Sequence, residues 1–210
     1  MLKLCTDSLS PDRKEVWGKL SGFAGLGVLA GGTALALQLN HRRSYDFDIF
    51  SEKEIGRKLL LKAGEVFGTE NIKPVVDSAD ELTVFYRQEI KISFVYFPFP
   101  PLYRPVATGS LPIFDIRDLL SNKAYAVGRR GAWRDYADIY WCLSRKIINL
   151  PDLLAESEKR FIGAFNRKLF LEQLVYSGDI TDMTVDWVEK GADNEEIKKY
   201  FKNLVGQLLR

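Results

Sequence analysis

The segment LAGGTALALQLNHRRSYDFDIF, residues 29–50, constrains the fold more than any other part of the chain. Small and apolar residues lead into a glycine pair, a short apolar stretch follows, and the chain turns basic at His41-Arg42-Arg43. Two aspartates then stand among Tyr45, Phe47, Ile49 and Phe50. The alternation over Tyr45–Phe50 predicts a strand with Tyr45, Phe47 and Ile49 on one face and Asp46 and Asp48 on the other. Upstream, Gly25–Ala30 reads as a short buried strand and Gly31-Gly32 as a turn, with Thr33 capping a helix over Ala34–Leu39. Aspartate is a poor strand former. A local rule broken inside a consistent pattern marks a candidate site.

Two carboxylates projecting together repel unless a cation sits between them or one takes up a proton. Oxygen ligands suit a hard ion such as Mg²⁺ or Mn²⁺, commonly bound through one or two carboxylates plus substrate phosphates. The Gly31-Gly32-Thr33 turn opens a helix whose amides can hold a phosphate. Combined, these features describe a triphosphate-plus-magnesium site. Separately, a D-x-D is also an ordinary solvated strand face, and a Gly-Gly turn an ordinary turn.

The rest of the chain narrows the class. A net charge of +2 over 210 residues announces no global field for nucleic acid. Cys5 and Cys142 lie far apart and His41 is the sole histidine, which disfavours a disulfide framework or a zinc site and suits a reducing cytosol. Leu20–Asn40 carries no formal charge and has about the length of a membrane span. Five glycines interrupt it, and acidic residues precede it, so the expectation is a cytoplasmic protein without a membrane segment.

Ser10-Pro11 starts a predicted helix to about Leu20. Ser51 is expected to cap a helix through about Phe67, with Glu54 completing a capping box. Ile72–Val76, Leu82–Arg87 and Ile90–Phe97 read as strands. The loop Pro98–Pro112 holds five of the eight prolines and is the expected boundary between halves. Helices are expected over Asp115–Arg129, Trp133–Lys146, from Pro151 onward, and over Asn194–Leu209, the last with a stripe of Ile197, Phe201, Leu204, Val205 and Leu208. The layout is α+β, a mixed α/β half followed by a helical half.

The first segment closely resembles the opening motif of the AbiEii/AbiGii toxin-type nucleotidyltransferases, a branch of the DNA polymerase β-like superfamily. In that family a G-G-[ST] turn leads into a short helix and then H-R-x-S-x-D-[FILV]-D-[FIL]-[FY]. Gly31, Gly32, Thr33, His41, Arg42, Ser44, Asp46 and Asp48 fit as they stand. DLLSNKAYAVGRRGAWRDYADIYWCL, residues 118–143, also resembles the family's D-[IL]-x-x-x-K-x-x-A followed by R-D-[FY]-x-D-[IL]-[YF], with Lys123 and Arg134-Asp135-Tyr136 plus Asp138 in place.

The resemblance implies a nucleotidyltransferase-like mixed sheet with flanking helices over residues 1–112. A helical region, 113–210, would complete the active site. It implies that Asp46 and Asp48 hold Mg²⁺ and that Gly31, Gly32, Thr33, Arg43 and Ser44 contact nucleotide phosphates. Lys123 and Arg130 would meet phosphate, and Asp135 would activate or orient the acceptor. The spacing agrees in part: Lys123 and Arg130 are seven apart, nearly one helix face. By the 100° step, Asp135 lies at the edge of its helix's apolar stripe and Asp138 further out, with Arg134 and Arg145. A carboxylate at a core edge needs a partner, here Arg129, Arg130 or Lys123. Where the superfamily often carries a third carboxylate, this chain has Ser93, which leaves the general base open.

The activity so implied moves an NMP from an NTP to an acceptor and releases pyrophosphate. The implied acceptor is RNA such as a tRNA end, and the implied role is that of a toxin with a cognate antitoxin. A small-molecule or protein acceptor is the rival within enzymes. A nucleotide-binding protein that has lost turnover is the rival outside them.

Overall fold

The computed structural model describes residues 4–56, 58–127 and 129–208. The chain divides into two compact units, the first ending at Asp115 and the second beginning at Ile116.

The first unit is built on a mixed sheet of β1 (Val28–Ala30), β2 (Phe47–Ser51), β3 (Ile72–Asp77), β4 (Glu81–Tyr86) and β5 (Ile90–Tyr96). Their order is β1-β2-β5-β4-β3. β2 and β5 run parallel and the other neighbours antiparallel. Register lines up the apolar residues across strands: Phe47 with Ile92 and Val84, and Ile49 with Leu29, Phe94 and Leu82. All are fully or almost fully buried, forming the core face of the sheet. Phe23 and the helix α3 (Leu59–Phe67) cover it, with Phe23 packed 4.8 Å from Phe94 and 5.6 Å from Phe67 between ring centroids. Alternation then puts Ala30, Asp48, Ser93 and Thr83 in one row on the other face.

Helix α1 (Pro11–Lys19) begins at Ser10-Pro11 as expected. Helix α2 (Gly31–Leu39) starts earlier than the sequence suggests, with Ala30 at its N-cap and no side-chain cap. Thr33 does not cap it, because the Thr33 hydroxyl donates instead to the Asp46 carbonyl. Asn40 closes the helix in the left-handed region, its amide on the Ala36 carbonyl. Tyr45 also departs from expectation. It precedes β2 and is exposed, with the Arg13 guanidinium 5.0 Å from its ring centre.

The helix expected from Ser51 forms only from Leu59. Ser51 ends β2, and its hydroxyl donates to the Lys53 carbonyl and accepts from the Lys53 amide, closing a tight turn rather than a capping box. The Ile55 amide then bonds to the Ala79 carbonyl, which holds the segment extended. The proline-rich loop folds back onto the sheet: the Leu29 amide donates to Pro112, and Phe114 to Leu29. These bonds carry residues 113–115 into the first unit, so the division follows Asp115 rather than Pro112.

The second unit contains α4 (Ile116–Val127), α5 (Trp133–Ser144), α6 (Leu150–Arg160), α7 (Arg167–Val175) and α8 (Asn194–Leu208). Asn149 and Asn166 cap α6 and α7 by accepting the amides of Asp152 and Leu169. On α8, Ile197, Phe201 and Val205 are buried, Leu204 is half-buried and Leu208 is exposed, while Leu209 lies outside the described residues. Trp133 anchors α5 to α8 through its indole N–H on Asn194, at 2.7 Å. A buried pair joins α4 to α6, with Arg160 Nη1 at 3.2 Å from Asp118 Oδ1. Among the described residues no helix is long and apolar enough to cross a membrane.

Candidate active site

In the first unit the site grows from the place where β1 ends. Gly31 takes a φ of 68°, the left-handed region that glycine enters without a side-chain penalty. A Cβ at Gly31 would collide with the carboxylate of Asp48, so the turn and the acid are in direct apposition. A Cβ at Gly32 would meet the Arg42 guanidinium and, at 2.9 Å, the Ser44 hydroxyl. Both glycines are thus places where side chains from the β2 approach close on the start of α2. The Thr33 hydroxyl on the Asp46 carbonyl ties the same two segments together.

Gly31, Gly32, Thr33, Ser44 and Asp48 therefore come together, and Asp46, which precedes β2, joins them through its backbone carbonyl. Asp46 and Asp48 are both half-buried, while Phe47 and Ile49 between and beside them are fully buried. Arg43 is exposed. The guanidinium at the turn belongs to Arg42, which is almost fully buried and donates to the Arg43 carbonyl at 3.0 Å. Arg42 went unassigned in the sequence, and its place in the H-R pair of the motif is the signal that points to it. The donor set fits a hard divalent ion. Two half-open carboxylates leave several positions for phosphate oxygens and water. Among the described residues no group of three or more His, Cys, Asp or Glu makes a closed metal cage.

Ser93 stands beside Asp48 in the parallel register of β2 and β5. On its other side the hydroxyls of Ser93 and Thr83 are 2.8 Å apart, and Thr83 lies 2.5 Å from the Glu81 carboxylate. The row next to Asp48 is therefore hydroxyl rather than acid, and Glu81 reaches Thr83 from the neighbouring row along β4.

The second unit holds a separate charged cluster. Lys123 on α4 reaches Asp135 at 2.6 Å and Asp138 at 3.0 Å, both on α5. Arg130 approaches Asp135 through Nε at 3.0 Å and Nη2 at 3.3 Å. Arg130 is not on the helix face of Lys123, because α4 ends at Val127. Asp138 is not solvent-facing either. Its side chain is fully buried, and Lys123 from α4 compensates its charge there. Burial pushes the Asp135 carboxyl upward, but the charges of Lys123 and Arg130 and their hydrogen bonds outweigh it and hold the group below the usual carboxylate range. Burial also raises Tyr136, to about 12, so its phenol stays protonated at neutral pH.

The family described as "Nucleotidyl transferase AbiEii toxin, Type IV TA system" matches residues 19–210. The chain belongs to the AbiEii nucleotidyltransferase toxin family. It is 28% identical over 204 residues to an uncharacterized protein of Aquifex aeolicus, covering 94% of this chain and 97% of that one. Two solved structures share the fold at lower identity. One, described as a "putative nucleotidyltransferase" from Helicobacter pylori, has a TM-score of 0.58 at 18% identity, covering 95% of this chain and 96% of the other. The other is the nucleotidyltransferase toxin MenT4 of Mycobacterium tuberculosis, with a TM-score of 0.57 at 16% identity, covering 92% and 82%. This AbiEii-family protein is accordingly a nucleotidyltransferase of toxin–antitoxin type with an α+β fold.

Proposed function

We propose that this AbiEii-family enzyme transfers an NMP from an NTP to a hydroxyl of RNA, such as a tRNA end, in the cytoplasm and under the control of an antitoxin protein. The observation that carries the reading is the Asp48 carboxylate set against Gly31 at the start of α2. It puts a metal-type ligand beside amides suited to phosphate.

An acceptor oxygen attacks the α-phosphorus, its proton passes to solvent or to a carboxylate, and the bond to pyrophosphate breaks. The Gly31-Gly32 amides and the Arg42 guanidinium hold the leaving phosphates, and Ser44 adds a hydroxyl. Asp46 and Asp48 would hold Mg²⁺ or Mn²⁺, which when bound neutralises phosphate charge. In the second unit, Lys123 and Arg130 are proposed to meet phosphate, with Asp135 orienting the acceptor. Those roles require Lys123 to exchange a carboxylate partner for phosphate, since Asp135 and Asp138 now share its ammonium.

One assay tests this reading: α-labelled NTPs supplied in turn with Mg²⁺ and total tRNA, beside Asp48→Ala. Label on RNA that vanishes in the variant supports it. Metal-dependent NTP binding without transfer to RNA favours a small-molecule or protein acceptor, or an enzyme that has lost turnover, and Ser93 at the row beside Asp48 gives that outcome a structural basis. Neither transfer nor binding would overturn the reading.

A further inference from the structure

On β2 the residue after next from Asp48 is Phe50, on the same face and roughly 7 Å along the strand. Phe50 opens a cavity of about 610 Å³ that lies wholly within the first unit. Its aromatic lining is Phe50, Phe97, Phe99 and Phe114. The rings of Phe50 and Phe97 stack at 4.4 Å between centroids, and Phe99 sits edge-on to Phe97 at 5.3 Å. Phe50, Phe97 and Phe99 are half-buried where they line it. Lys53, Lys58 and Lys62 also line the cavity, against Glu52 and Glu54. Lys53 and Lys58 are exposed.

Strand direction gives the cavity a meaning. β1 runs antiparallel to β2, with Val28 opposite Phe50 and Ala30 opposite Asp48. Gly31 follows Ala30, so the phosphate turn and the cavity lie to opposite sides of Asp48 along the strands. In phosphoryl transfer the attacking and leaving oxygens are roughly in line across the phosphorus. With the phosphorus held at Asp48 and pyrophosphate leaving toward the Gly31-Gly32 amides, in-line attack comes from the cavity side.

Resting on the transferase reading above, we propose that this cavity receives the terminal nucleoside of a single-stranded RNA acceptor. Its base stacks on Phe97 and Phe99, its hydroxyl points toward Asp48, and Lys53 and Lys58 meet the preceding phosphates. Aromatic faces with cationic neighbours are the usual means of holding unpaired bases. Three lysines against two glutamates give a slight positive balance, suited to one strand end rather than a duplex backbone.

The test uses the whole protein and four 5′-fluorescein-labelled homotrinucleotides of ribo-A, C, G and U, with binding read by anisotropy. Phe99→Ala and the double variant Lys53→Glu/Lys58→Glu are compared with the wild type, and Phe97→Ala is added if its circular dichroism is native. At least one trinucleotide should bind, and both Phe99→Ala and the lysine variant should weaken it about tenfold or more. Magnesium-dependent NTP affinity should stay within twofold. Binding of no trinucleotide, equal binding by the variants, or an equal loss of NTP affinity would each overturn the proposal. The two readings fail separately. Wild-type transfer with an unchanged acceptor KM in Phe99→Ala sinks the cavity and spares the transferase. Aromatic-dependent RNA binding without transfer does the reverse.

Discussion

The two carboxylate clusters of this protein use the same residue type for opposite ends. Asp135 and Asp138 are sealed inside the helical unit, and Lys123 and Arg130 answer their charge at 2.6–3.3 Å. Asp46 and Asp48 border a half-open face next to a glycine turn and the Arg42 guanidinium. A buried charge needs its partner for the fold to hold. A half-open one can exchange water for a ligand. The sheet pair is therefore where removal is expected to cost chemistry, and the helical cluster is where it is expected to cost stability first.

The largest expected effect is the sharpest test of that contrast. Asp48→Ala should lower NMP transfer by about a hundredfold or more, with urea unfolding nearly unchanged. A variant that fails to fold would make the sheet pair structural and erase the contrast.

Asp138→Ala should act the other way. Loss of a buried partner of Lys123 should destabilise the protein by about 3 kcal/mol in urea titration. A change under about 0.5 kcal/mol, the usual effect of a surface substitution, would show that the cluster tolerates an unmatched charge and is poised for a ligand as well.

Gly31→Ala tests the join between turn and acid. A side chain at positive φ costs roughly 1–2 kcal/mol, and here it also displaces the Asp48 carboxylate. Stability and transfer should fall together, and intact transfer would mean that Asp48 is not used where it now lies.

The smallest effect is expected from acid. Asp135 is held below the usual range in the fold and returns to it on unfolding. Its stabilisation is thus complete above an unfolded value of about 4 and is lost as pH falls through the lower folded value. The acid limb of wild-type stability should therefore flatten in Asp135→Asn. An identical limb in both proteins would place the pH-sensitive pairing elsewhere.

Legibility from sequence differed between the clusters for a physical reason. Around Asp46 and Asp48 the partners are near in sequence: the turn, the short helix and the strand occupy residues 31–51, and local rules of alternation and glycine conformation suffice to assemble them. Even there, local rules placed Thr33 as a cap and Tyr45 on the strand, sharing a face with Phe47 and Ile49. A carbonyl thirteen residues away claimed the first, and the start of β2 at Phe47 excluded the second. The expected capping box at Ser51 failed similarly, since Ser51 was needed for the end of β2 and for a turn. In the helical unit, the 100° step turned Asp138 toward solvent because it knows only one helix. Lys123, on a different helix, reversed that.

By itself the sequence determined the class of the chain: an α+β nucleotidyltransferase with a sheet-based half ahead of a helical one, and it marked the glycine turn and the D-x-D segment as the candidate site. Periodicity, turn chemistry and a family motif are all properties of short stretches, which is why they could be read. Only the tertiary structure decided that Arg42 rather than Arg43 closes on the turn. It likewise set Ser93 beside Asp48, turned Asp138 inward, and opened an aromatic cavity across Asp48 from the glycine turn. Each depends on strand register or helix packing between segments far apart in the chain, where side-chain partners are chosen by space and charge rather than by sequence order.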